Sequence, residues 1–129
     1  LELFKHRLNV HPSLLPKYRG PSPIQATIMN DDKWSGVSII DVHPTLIDAG
    51  DIYLQKKVAV PDKTKYNDLC DELAYLGGNM LAEVVSYIEK YEKSRVPQPP
   101  NPTLTKKLSK EDGRLDFYQM TSLQIESLF

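Results

Sequence analysis

An α/β fold is predicted by three features of this 129-residue sequence. Residues 36–43 and 52–60 are short stretches rich in β-branched side chains, the composition of strands. From about 65 to 92, Tyr66, Leu69, Leu73, Leu76, Met80, Val84 and Ile88 recur at spacings of three and four, the period of one long amphipathic helix. Residues 12–23 hold four prolines and a glycine, too much punctuation for a helix or a central strand, and therefore form a shaped loop.

Taken in order, residues 8–11 alternate apolar and polar until Pro12, which suits a strand end with Asn9 and His11 on one face. After the loop, Ser22 reads as an N-cap and Pro23 as the first helical residue of a short helix, with Ile24 and Ile28 as its apolar stripe and its end near Asn30. Two strands follow, the second expected to carry Ile52, Leu54, Val58 and Val60 on one face. The connection between them, residues 44–51, sets Asp48 on a turn just before Gly50, where it can be aimed at a neighbouring strand end.

In the long helix, Gly77 and Gly78 mark a kink, a close packing point or a break between two helices. Cys70 is expected to face the core, and Trp34, Tyr18, Tyr87 and Tyr91 to serve packing. Pro97, Pro99, Pro100 and Pro102 make a stiff, extended linker. Beyond a polar stretch, Thr121 and Gln124 form a capping box that opens a last helix, whose apolar residues Ile125, Leu128 and Phe129 lack a partner.

Composition removes several classes of function. Lys and Arg total 16 against 17 Asp and Glu, a net charge of −1, which gives no basis for coating DNA or adhering to a membrane. No apolar run approaches the roughly eighteen residues of a membrane span, and the opening residues have no signal-peptide pattern. One cysteine excludes an internal disulfide, and Cys70 with His6, His11 and His43 has no zinc-ligand spacing. The chain begins with Leu1, and both ends read as the interior of a longer protein.

Asn9, His11 and Asp48 supply an amide donor, an imidazole and a carboxylate at strand tips. These are the groups needed to move an acyl-like group to an amine, because attack on a carbonyl carbon such as that of a formyl group creates an oxyanion that Asn9 or protonated His11 can stabilise. Asp48 beside His11 would hold its tautomer and accept or relay the amine's proton. Singly, each has an ordinary reading: Asn-x-His as a satisfied strand end, an acid before glycine as a turn residue, and Lys106, Lys107 and Lys110 as a solvated face that could also meet phosphate.

The longer string Asn9-Val10-His11-Pro12-Ser13-Leu14-Leu15-Pro16-Lys17-Tyr18-Arg19-Gly20, with Pro23-Ile24-Gln25, Gly36-Val37-Ser38-Ile39 and the LIDAGDI of residues 46–52, resembles the folate-dependent formyltransferases. That resemblance implies the C-terminal half of a Rossmann-like catalytic domain. It also implies catalytic roles for Asn9, His11 and Asp48, and a folate-proximal segment with Ser13, Leu14, Leu15, Pro16, Tyr18, Arg19 and Gly20. Arg-Gly-x-x-Pro-Ile, and the later LTKKLSKEDGRLDF, are similar to the branch that formylates methionyl initiator tRNA more than to the purine-pathway branch.

The implied donor is 10-formyltetrahydrofolate, used without a metal, and the implied partners are folate and initiator methionyl-tRNA, with no DNA or membrane partner and a monomeric full-length form. Lys106, Lys107 and Lys110 are the expected tRNA phosphate contacts. Residues 1–93 would belong to the catalytic domain, 94–104 to the linker and 105–129 to the start of a C-terminal region before a missing β-barrel. The stretch ahead of Asp48 is one residue longer than the usual bacterial form, which is similar to mitochondrial, particularly fungal, members and suggests an organellar origin. Two alternatives remain at this level: a formyltransferase, formyltetrahydrofolate hydrolase or dehydrogenase module acting on another substrate, and a non-catalytic fragment that binds RNA or protein. Without the rest of the domain, the faces of Val37, Ile39, Ile52, Leu54 and the long helix are expected to lack cover, leaving the fragment inactive by itself.

Overall fold

The computed structural model describes residues 5–108. The chain order is β1 (Leu8–His11), α1 (Pro23–Met29), β2 (Trp34–Asp41), β3 (Ile52–Ala59), α2 (Tyr66–Ser86) and α3 (Ile88–Ser94). The strands form one antiparallel sheet in the order β1-β2-β3. Thr121, Gln124, Ile125, Leu128, Phe129 and most of the polar stretch before them lie outside the described residues. Among the described residues no helix is long and apolar enough to cross a membrane.

β2 is the spine of the sheet because both of its faces are covered. Val37 and Ile39 point to the side where α2 packs, and with Leu69, Leu73, Met80 and Val84 they build the main core. Val37, Ile39 and Val84 are 0% exposed, so this helix face finds its cover within the chain, contrary to the expectation that it would be left open. Ser38 and Ile40 face the other way, beneath the loop after β1, and Ile40 joins Leu15 and Ile52 in a second apolar cluster.

The single-face expectation for Ile52, Leu54, Val58 and Val60 fails at its first residue. Ile39 pairs with Leu54 but Ile40 pairs with Ile52, so Tyr53 is an extra residue on β3 at an irregularity in the register. A bulge of one residue reverses the alternation. Ile52 is thereby sent to the second cluster, and Tyr53 enters the main core. β2 also begins two residues earlier than its β-branched run, at Trp34, and ends at Asp41. Trp34 is 52% exposed under the Lys57 ammonium, and Tyr87 is 62% exposed, so neither is a core residue.

The helical stretch divides at Tyr87, which lies between α2 and α3, and not at the glycines. Gly77 is the close packing point: a Cβ there would stand 2.8 Å from Val10 Cγ1, so any larger residue would push Val10 or α2 aside. Tyr66, placed in the apolar stripe by its spacing, is 40% exposed at the helix start. α1 begins at Pro23 as expected, but Ser22 has φ of 68° and makes no side-chain cap.

Candidate active site

Asn9 and His11 lie two residues apart on β1 and pair with Ile40 and Ser38 of β2. Paired residues share a face of the sheet, so both side chains sit on the side away from α2. There they meet Asp48, delivered by the loop between β2 and β3. Asn9 Nδ2 donates to Asp48 Oδ1 at 3.3 Å, and His11 Nδ1 lies 3.4 Å from Asp48 Oδ2. Two groups of β1 thus meet one carboxylate carried by a distant loop. Asp48 itself has φ of 52°, a left-handed conformation that aspartate tolerates better than most residues.

The loop after β1 is what holds the trio in place. Ser38 Oγ donates to the Ser13 carbonyl at 2.7 Å and accepts from the Leu15 amide at 3.2 Å, while Gln55 Nε2 donates to that same hydroxyl at 2.8 Å. Ser13 Oγ donates to the Lys17 carbonyl at 2.6 Å, closing the turn. Past this anchor, the Gly20 amide donates to Asp48 Oδ2 at 2.9 Å, and the Tyr18 carbonyl lies 2.8 Å from His11 Nε2. A carbonyl can only accept, so His11 carries a proton on Nε2 and presents Nδ1 to the carboxylate. The tautomer, expected from the sequence to be held by Asp48, is held by the main chain of Tyr18.

Tyr18 anchors the loop a second time through its side chain. Its hydroxyl donates to Asp32 Oδ2 at 2.6 Å and accepts from Asn30 Nδ2 at 2.8 Å, which ties the loop to the end of α1. Burial, followed by the hydrogen bond to Asp32, pushes the phenol up to about 12, so it remains a donor. Gly20 has φ of 101°, and a Cβ there would stand 2.9 Å from the Thr105 carbonyl. Only glycine brings its amide to Asp48 in this position.

The other residues expected near the site divide by role. Leu15 is buried in the second core cluster, and Leu14 packs over Gly36, so these side chains support the loop. Arg19 turns back across the site, and its guanidinium donates from Nε and Nη2 to Gln98 Oε1 at 2.9 and 2.8 Å. Lys106 and Lys107 are exposed, and Lys110 lies outside the described residues. Among the described residues there is no group of three or more His, Cys, Asp or Glu arranged to hold a metal ion.

Gln98 escaped sequence reasoning. Set between two prolines, it gave no signal beyond being a polar residue in a linker. In the structure its Nε2 donates to the Asp48 carbonyl at 2.7 Å and to the Gly50 carbonyl at 2.8 Å. The proline-rich segment lies against the site: Val96 pairs with Ile52 through two main-chain bonds, and the Thr103 carbonyl accepts from the Arg19 amide at 2.8 Å.

The geometry defines a carboxylate, an imidazole and an amide held on one sheet face by a glycine-containing loop. Residues 1–85 match the formyl transferase family, and the chain belongs to that family. Its relatives include a methionyl-tRNA formyltransferase of Dehalococcoides mccartyi, strain CBDB1, which is 36% identical over 119 residues, covering 92% of this chain and 38% of that protein. The mitochondrial methionyl-tRNA formyltransferase of Rattus norvegicus is 39% identical over 119 residues, covering 92% of this chain and 31% of the rat protein. This chain thus spans well under half the length of either relative. Among solved structures, the sugar 3N-formyl transferase WlaRD, studied with dTDP and 5-N-formyl-THF, superposes with a TM-score of 0.78 at 23% identity, over 95% of this chain and 44% of that one. That likeness concerns the fold.

Proposed function

We propose that this chain carries the catalytic residues of an enzyme that transfers a formyl group from 10-formyltetrahydrofolate to the amino group of methionyl initiator tRNA. The observation that carries the reading is the Asp48 carboxylate, which binds the Gly20 amide and the Asn9 side chain while facing His11 Nδ1. Relatives named for this reaction match nearly the whole chain. In this reading residues 1–93 belong to the catalytic domain, 94–104 link it onward, and 105–129 open a C-terminal region. Mitochondrial action of the whole protein agrees with the rat relative's name.

The chemistry follows from the donors. As the amine attacks the formyl carbon, negative charge develops on the formyl oxygen. The second N–H of the Asn9 amide and, with the imidazole in its doubly protonated form, the N–H of His11 Nδ1 are the available donors for it, Nε2–H being held by the Tyr18 carbonyl. An ionised Asp48 only accepts, so it takes the proton leaving the amine, directly or through a water. When the tetrahedral intermediate collapses, the bond from the formyl carbon to N10 of the folate breaks and N10 takes up a proton, returned through Asp48 and His11. The products are the N-formylated amine and tetrahydrofolate. No covalent enzyme intermediate is needed, and half-buried Cys70 lies on α2, on the opposite side of the sheet from the trio.

The test is an acceptor panel. The full-length protein carrying this chain, given 10-formyltetrahydrofolate, should formylate methionyl initiator tRNA and leave amino-sugar nucleotides and glycinamide ribonucleotide unmodified. Preference for an amino-sugar nucleotide, the substrate class suggested by WlaRD's name, or release of formate without an acceptor, would move the reading to another member of the family. No turnover of formyltetrahydrofolate under any of these conditions would leave the non-catalytic reading.

A further inference from the structure

The segment after α3 runs back across the site. Arg95 opens it, with Nη1 3.7 Å from Asp41 Oδ2 and Nε 3.5 Å from Asp51 Oδ2, and Val96 pairs with Ile52. Of residues 93–100 only Gln98 is half-buried, and the flanking prolines are exposed. Its amide is saturated. Both N–H groups are given to the Asp48 and Gly50 carbonyls, and both lone pairs of Oε1 are occupied by the Arg19 guanidinium. The reverse amide orientation would set N–H groups against the guanidinium and oxygen against two carbonyls, so the network itself fixes the orientation.

These contacts close a ring. Gln98 holds the main chain of Asp48; the Asp48 carboxylate accepts from the amide of Gly20; and Arg19, next along from Gly20, returns to Gln98. Tyr18, on the other side of Arg19, supplies the carbonyl that holds His11. Moving the Gln98 amide therefore moves the carboxylate relative to the imidazole, because Gln98 joins the same two loops that the Asp48 carboxylate joins, but from outside both of them.

We propose that Gln98 is a positioning residue for formyl transfer, setting the separation of Asp48 from His11 from outside the catalytic loops. The inference rests on the function proposed above. It makes the proline-rich segment part of the site's support: the prolines limit the freedom of the backbone on either side of the one amide that must not move.

The experiment uses the full-length protein with Gln98→Glu, Gln98→Leu, Asp48→Asn and the double variant Gln98→Glu/Asp48→Asn. Glutamate keeps the shape and the Arg19 contact, now an ion pair, but sets an oxygen against the Asp48 and Gly50 carbonyls, so the protein should fold with a thermal midpoint lowered by several degrees. Its kcat should fall roughly 10- to 100-fold, the scale for a catalytic group displaced by about an ångström, with the KM of each substrate changing less than about threefold. In the Asp48→Asn background the same change should cost less than about threefold, because the group it positions has already been lost. Gln98→Leu, if it folds, should match Gln98→Glu; if it does not, the glutamate variant decides. A Gln98→Glu kcat within about twofold of the parent's, or an equal loss in both backgrounds, overturns the positioning role while Asp48→Asn remains impaired. Parental activity in Asp48→Asn itself overturns the underlying site assignment as well.

Discussion

Asp48→Asn is the substitution that most directly separates chemistry from architecture. Asparagine fills the same space, and its carbonyl can still accept the Gly20 amide, now 2.9 Å from the carboxylate. The bond then loses its charge assistance, a change of about 1 kcal/mol, since hydrogen bonds to charged groups contribute about 1.5–3 kcal/mol against about 1 for neutral ones. On the other side the new amide would face Asn9, whose exposed side chain can turn over and present its oxygen. The fold should therefore tolerate the variant, with a thermal midpoint lowered by a few degrees. Activity should not. The variant loses the acceptor for the amine's proton, so the single-turnover rate of formyl transfer should fall by roughly 10² or more, equivalent to about 2.7 kcal/mol of barrier at about 1.36 kcal/mol per decade. Folate affinity should change little. A rate within about threefold of the parent's would refute the role of Asp48 as proton acceptor, whatever the stability.

The remaining expectations concern the supports of the site and its partners. Ser38→Ala removes a buried hydroxyl that serves Ser13, Leu15 and Gln55 at once, so urea denaturation should register a loss of about 2–3 kcal/mol; a change under about 0.5 kcal/mol would mean the loop is held elsewhere. The Tyr18 phenol is raised from 10.0 to about 12, so its stabilising effect is full below its ordinary value and is lost as pH rises through about 12. In an alkaline titration, the phenolate absorbance lost in Tyr18→Phe should have its midpoint near 12, and a midpoint at 10.0 would contradict the contact with Asp32. Reversing Lys106, Lys107 and Lys110 to Glu in the full-length protein should weaken tRNA binding and reduce the slope of log K against log salt by about two to three, with folate binding unchanged; an unaltered slope assigns these lysines to solvation.

Much of this architecture is legible from local rules. The β1 strand end, the proline-rich loop, the short helix at Pro23 and the turn carrying Asp48 each follow from composition within a few residues, whereas Asn9, His11 and Asp48 read singly as ordinary strand-end and turn residues and are joined by the family resemblance of residues 9–20 and 46–52. What local rules miss is parity and distance. Tyr53 reverses the faces of β3 because an extra residue is a property of the pairing with β2, invisible in β3 alone. The helix divides at Tyr87 although the glycines are the intrinsic weak point, since Gly77 is needed for contact with Val10 and tertiary packing overrides propensity. Gln98 is illegible for a third reason: its partners are main-chain carbonyls 48 and 50 residues away, and a carbonyl has no sequence signature.

The reach of the returning segment bears on how the protein is made. Thr103 bonds to Tyr18 across 85 residues, and Thr105 to Arg19 across 86. During synthesis at about 5–20 residues per second, the loop bearing Tyr18 and Arg19 waits on the order of 4–17 seconds before these threonines are added. β1, β2 and β3 can pair in that interval, and Gly20 can meet Asp48, 28 residues on, whereas the ties from Gln98, Thr103 and Thr105 can form only later. On a ribosome, the returning segment is therefore the last of the described residues to reach the proposed site, and a chain interrupted before Gln98 would hold its paired strands with the two loops lacking their outer tie.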